Sequence, residues 1–178
     1  MKPTLFLYAG LLLLTQCSKC KKDDPTPAEQ LPPATQTGAN TFGCLVNGQP
    51  YTPSGYNGVS NYAVLYDPGF KGGSLDVRTY RYPRPGKSQY LILSSTNIDK
   101  PGVYQFSPTA GAFFTDALRP VPCNNYDSSD NNTYSKGTIT ITRLDLNAGI
   151  ISGTIDFTLA QPGCDTIKVT QGRFDKKL

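Results

Sequence analysis

The chain has no histidine and no tryptophan, and Glu29 is the sole glutamate among its 178 residues. Without histidine there is no Ser-His-Asp or Cys-His catalysis and no His-ligated zinc. The side chain best suited to proton transfer near neutral pH is also missing. A glycosidase-type carboxylate pair would have to be drawn from the aspartates between Asp67 and Asp175. Most of those stand beside turn residues, where Asp serves local hydrogen bonding. No catalytic residue, cofactor site or metal site is expected, and the protein is read as non-enzymatic. Charge is scarce as well. The net value is +4, and beyond residue 39 the basic excess falls to three, too little for a nucleic-acid footprint. No window holds a sustained helical period, so a helical domain is excluded.

What is present begins with an address. Lys2 is followed by an apolar run over residues 5–14, ended by Thr15, Gln16 and Cys17. Ten residues are too few to span a bilayer, which takes ~20, but they match the apolar part of a secretory signal. A cysteine closing such a run resembles the bacterial lipobox, in which the thiol is acylated and becomes the mature N-terminus. Gln16 departs from the small residue usual before that cysteine. Residues 1–16 are therefore read as a signal peptide and Cys17 as the lipidation site. Residues 17–39 carry Pro25, Pro27, Pro32, Pro33 and Gly38 among polar side chains, with Leu31 their only large hydrophobe. That composition predicts an extended, disordered tether. Residues 40–178 form the folded unit, of single-domain size.

An exported chain meets an oxidising compartment, where disulfides persist. With Cys17 assigned to lipid, Cys20, Cys44, Cys123 and Cys164 remain, and four cysteines allow three connectivities. Cys20 sits close to the anchor, and Cys44 shares a strand face with Phe42 and Val46, a setting for a buried free thiol. Cys123 and Cys164 fall in loops at the same end of one hairpin. Cys123–Cys164 is the favoured pair and Cys44–Cys164 the competing one.

Turn residues recur every 8–12 positions, as in a sandwich or barrel. Residues 42–46 read as a strand closed by Asn47-Gly48, a pair suited to a tight hairpin turn. Residues 49–52 return, and residues 59–67 are next. Leu75, Val77 and Thr79 alternate with Asp76, Arg78 and Tyr80, the pattern of a half-buried strand. Residues 89–96 have an apolar Tyr90-Leu91-Ile92-Leu93 centre on both faces, which predicts a central strand. Short strands near 103–106 and 112–114 precede the clearest hairpin, with Ile139 and Ile141 against Ile151, Ile155, Phe157 and Leu159 on the inward face. Ser152, Thr154, Asp156 and Thr158 face solvent. Ile167, Val169 and Phe174 close the chain, with Gly172 as a bulge. The fold class is an all-β, antiparallel sandwich of about nine strands.

Two segments have the residue types of a binding site. Asp127, Ser129, Asn131 and Thr133 alternate oxygen side chains as a calcium loop does. The segment lacks the glycine and the bidentate glutamate such a loop needs, so it is read as a solvated loop. Tyr80, Arg81 and Tyr82, with Arg78, Arg84 and Lys87, interleave basic and aromatic residues around a proline-rich turn. Stacking plus charge of that kind can hold a sugar, and alternation predicts that Arg78, Tyr80 and Tyr82 share an outward face. Tyr80, Arg81 and Tyr82 are the candidate ligand residues.

The opening Asn40-Thr41-Phe42-Gly43-Cys44-Leu45-Val46-Asn47-Gly48 resembles that of an uncharacterised lipoprotein family common in Bacteroidetes. The ending, Gly137 to Thr142 and Ile151 to Thr154 with Gly172-Arg173-Phe174-Asp175, is similar to that family's C-terminal pattern, in which Gln171 is more often aspartate. The likeness is strong at these two ends and weak from Ser54 to Asn132. It implies a small exported β-domain on a lipid anchor, with no established activity to carry over. Lys21-Lys22-Asp23-Asp24 is similar to the charged signal that sends such lipoproteins to the outer face of the outer membrane. Asp165-Thr166-Ile167 resembles the O-glycosylation acceptor of these bacteria. The expected partners are the membrane, through the anchor, and a glycan or another envelope protein.

Overall fold

The computed structural model describes residues 24–178; the expected signal peptide, Cys17, Cys20 and Lys21 to Asp23 lie outside the described residues. Eleven strands follow in order: β1 (Thr41–Val46), β2 (Gln49–Tyr51), β3 (Tyr62–Asp67), β4 (Ser74–Arg84), β5 (Lys87–Ser95), β6 (Gly102–Gln105), β7 (Ala110–Asp116), β8 (Asn125–Asp127), β9 (Tyr134–Asp145), β10 (Ile150–Ala160) and β11 (Ile167–Lys177). They build two antiparallel sheets packed as a sandwich, ordered β2-β1-β11-β10-β9-β6 and β3-β4-β5-β7-β8. The expected sandwich is there, with more strands than the turn spacing marked out. β8 was missed because three residues are too few to show alternation, and Asn and Asp are poor strand formers. Tyr126 at its centre is nonetheless fully buried and donates to the Asp165 carbonyl at 2.7 Å.

The local chemistry behaves as the residue types dictate. Asn47 and Gly48 both take positive φ, 49° and 78°, and join β1 to β2 in a two-residue turn. β5 is the middle strand of its sheet. Between the sheets lies one core, with Leu91 and Leu93 of β5, Ile139 and Ile141 of β9, and Ile151 and Ile155 of β10 all fully or almost fully buried. The irregularity near Gly172 is real but belongs to its neighbour. From Gly172 to Val169, β11 advances three residues against two on β10, and Gln171 takes the left-handed φ of 52°. Gly172 is needed for room: a Cβ there would sit 2.1 Å from Ile155 Cγ1.

Residues 24–39 differ from the expected tether. Leu31 is 7% exposed, and Pro32 packs so closely on β1 that a Cβ at Gly43 would lie 2.5 Å from its Cδ. The main anchor is Asp175 on β11, fully buried. Its carboxylate accepts from Thr35 Oγ1 at 2.6 Å, Thr37 N at 2.9 Å, Gly38 N at 2.8 Å, Ala39 N at 3.0 Å and Ser152 Oγ at 2.7 Å. Arg143 Nη1 donates to the Gln36 carbonyl at 2.6 Å. Composition counted only apolar area; here hydrogen bonds to a buried anion hold the segment, and its prolines reduce the entropy lost on ordering. Ser152, expected to face solvent, is fully buried beneath it.

Cys123 and Cys164 form a disulfide, with Cα atoms 5.4 Å apart and a sequence separation of 41. They link the β7–β8 and β10–β11 loops. Gln161 Nε2 donates to Thr133 Oγ1 at 3.0 Å, which brings the ends of the β9–β10 hairpin together as expected. Cys44 is free and buried, and burial pushes its thiol up to about 12. Reduction should cost ~4 kcal/mol by loop-closure entropy. Thermal melts with and without dithiothreitol should show the same drop in wild type and in Cys44→Ala.

Asp175 adds a pH dependence. Burial alone would raise its carboxyl, but the hydrogen bonds from Thr35, Ala39, Ser152 and Thr37 outweigh it and hold the group well below the usual carboxylate range. A depressed folded-state pKa contributes stability that is fully present above the unfolded value, near 3.8, and lost as pH falls further. Acid titration of Tm should therefore decline below about pH 4 in wild type. Asp175→Asn, which puts an NH2 where donors already point, should cost ~2–3 kcal/mol at neutral pH and flatten that decline.

Candidate functional site

Tyr80, Arg81 and Tyr82 do not form one surface. Tyr80 and Tyr82 lie on the outward face of β4 and Arg81 on the other. Arg81 stacks over the Tyr51 ring at 4.6 Å, and its Nε and Nη1 donate to Gln89 Oε1 and the Pro50 carbonyl, each at 2.6 Å. Burial lowers its pKa, a shift the Tyr51 and Cys44 side chains oppose. Tyr80 is 4% exposed because the β2–β3 loop folds over it. Its hydroxyl donates to the Val59 carbonyl at 2.5 Å and accepts from Asn57 N at 3.1 Å. Tyr82 packs edge-on against Tyr80 with centroids 5.8 Å apart. Alternation placed Tyr80 and Tyr82 on the right face; a loop remote from that pattern then closed it. The trio braces one end of the sandwich.

The Asp127 to Thr133 loop spends its oxygens internally. Asp127 Oδ1 accepts from Ser129 N at 2.8 Å and from Ser129 Oγ at 2.7 Å, and Asp130 Oδ1 accepts from Asn132 N at 2.9 Å. These are Asx turns. Among the described residues, no three His, Cys, Asp or Glu side chains converge in a metal-binding set. Thr166 is exposed, and its carbonyl accepts from Asn47 Nδ2 at 3.0 Å.

A concave feature lies elsewhere among the described residues. A cleft of about 1020 Å³ sits at the end of the five-stranded sheet where β4 begins, β5 ends and β7 begins. Register brings Asp76, Ser94 and Gly111 into one cross-strand row on the outward face, and Arg78, Ile92, Phe113 and Asp127 into the next. Asp76, Ile92, Ser94, Phe113 and Asp127 line the cleft, and the turns carrying Lys71, Ser107 and Ser129 rise around it. Ile92 and Phe113 are half-buried. The Asp76 carboxylate is held by a forked bond from Arg78, with Nη2 to Oδ2 at 2.6 Å and Nε to Oδ1 at 3.0 Å, which raises the Arg78 pKa. Gly111 leaves space for Ser128, whose Oγ would lie 2.0 Å from a Cβ there and which accepts from Ala112 N.

Compared with family models, curated proteins and solved structures, the chain matches none. The cleft was missed in the sequence, although one signal pointed to it. Ile92 and Phe113 are apolar at outward positions, a pattern that reads equally as burial within a central strand.

Tyr80→Phe should destabilise the fold by ~1–2 kcal/mol, the cost of leaving Asn57 N unpaired. Amide exchange should accelerate in residues 54–61. Unchanged exchange there would show that the hydroxyl does not hold the loop.

Proposed function

We propose that this chain is an exported lipoprotein of the bacterial cell envelope, anchored through Cys17, whose β-sandwich binds or braces and does not catalyse. The observation that carries the reading is the apolar run over residues 5–14 closing on Cys17. The Cys123–Cys164 disulfide supports an oxidising compartment, though weakly. The resemblance to the Bacteroidetes lipoprotein family adds an outer-membrane, surface-facing location. In its favour, the opening and the last part of the ending that carry the likeness lie on paired strands, β1 and β11, with Thr41 opposite Asp175 and Phe42 opposite Phe174. The non-enzymatic reading is supported by how aspartates are used: Asp67, Asp116 and Asp145, like Asp127 and Asp130, accept from main-chain N–H groups of their own turns.

A second reading, a carbohydrate- or small-ligand-binding accessory protein, is favoured by the cleft over β5. Surface tyrosines of the β4–β5 hairpin no longer support it, since Tyr80 is covered.

The anchor is tested by metabolic labelling with an alkyne fatty acid. Wild type should be labelled and fractionate with membranes, because acylation at a lipobox cysteine adds more than one chain and two chains give stable attachment. Cys17→Ala should be unlabelled and released. Label retained in Cys17→Ala would refute the assignment.

A further inference from the structure

We propose that the cleft over β4, β5 and β7 is a binding site for an uncharged oligosaccharide, with Ile92 and Phe113 as its floor and Asp76 and Ser94 as its hydrogen-bonding wall. This rests on the second reading of function above and names its site and ligand class.

The chemistry of the lining narrows the ligand. The strands beneath the cleft are interior ones, β4 and β7 flanking β5, so their backbone groups are already paired within the sheet. An extended peptide adding a strand would have to go to the free edges, at β3 or β8, and not here. Any occupant of the cleft must therefore be read by side chains. Those side chains are hydroxyls and carboxylates set around an apolar floor. Among the described residues, Asp127 and Asp130 have no basic side chain paired with them, Asp76 is matched by Arg78, and Lys71 is the one basic residue lining the cleft. A phosphate-rich or otherwise anionic ligand would meet a like charge there. A sugar ring offers what the lining asks for: an axial C–H face to lie on Phe113 and Ile92, and vicinal hydroxyls able both to donate and to accept.

Preorganisation points the same way. The Arg78 fork fixes Asp76 as an acceptor before any ligand arrives, which lowers the cost of binding. The Asx turns do the same for the Asp127 to Asn132 rim. Small-molecule sites span ~300–1,000 Å³, so a cleft of about 1020 Å³ has room for more than one ring.

The test uses the full chain purified in a non-glycosidic detergent, since a glycoside detergent would compete. Isothermal titration and saturation-transfer NMR are run against uncharged tetrasaccharides (gluco-, xylo-, manno- and N-acetylglucosamine series) beside uronic-acid and sulfated counterparts. At least one uncharged series should bind, with aromatic saturation transfer to the sugar C–H groups. Ser94→Arg fills the cleft from an exposed position and should weaken binding at least tenfold with Tm unchanged. Phe113→Ala should weaken it comparably. Tyr82→Ala, outside the cleft, should leave affinity within twofold of wild type. Failure of every uncharged series, preference for the anionic counterparts, or insensitivity to Ser94→Arg would each overturn the site. None of these results bears on Cys17, so failure here and failure of the anchor are separable.

Discussion

The buried carboxylate of Asp175 is the interaction on which the arrangement of the whole domain turns. A buried charge without a partner is costly, and among the described residues no cation pairs with Asp175; its compensation is a cage of hydroxyl and main-chain donors. Four of the short bonds come from Thr35, Thr37, Gly38 and Ala39, and the fifth from Ser152. Three parts of the chain distant in sequence are thereby held at one point: the incoming segment, β10 and β11. Once residues 35–39 are placed, Pro32 settles on Gly43 and Leu31 is buried, and the chain enters β1 already aligned beside β11.

That constraint makes the two sheets unequal on their outer faces. Part of the six-stranded sheet is roofed by the incoming segment, so its outward Ser152 and Asp175 are interior groups. Among the described residues, the outer face of the five-stranded sheet is roofed only at the Tyr80 end, by the β2–β3 loop. At its other end it stays open, with Ile92 and Phe113 half-buried between raised turns. The incoming chain and the cleft thus lie on opposite outer faces of the sandwich.

Arg81, Tyr51 and Gln89 close one end of the core by stacking and hydrogen bonding. The disulfide ties the β7–β8 loop to the β10–β11 loop. With these restraints in place, the Asp127 to Thr133 turns are held by their own Asx bonds and by Ser128 against Ala112.

The features legible in the chain itself are those set by short-range rules. Alternation marks an outward face on β4 and an inward face on β9 and β10, because successive side chains in a strand point to opposite sides. Asn47-Gly48 specifies its own turn, since both residues tolerate positive φ. Loop position at the end of one hairpin was enough to favour Cys123 with Cys164 over Cys44. Tertiary structure alone decided what lies over each outward face. Nothing near Tyr80 says that residues 57–59 will cap its hydroxyl, and nothing near Leu31 says that Asp175, 144 positions on, will hold its neighbours. Strand alternation reports the side a residue faces, whereas burial depends on which distant segment covers that side. For that reason Ile92 reads as core, Ser152 as surface, and Tyr80 as a ligand contact until the chain is folded.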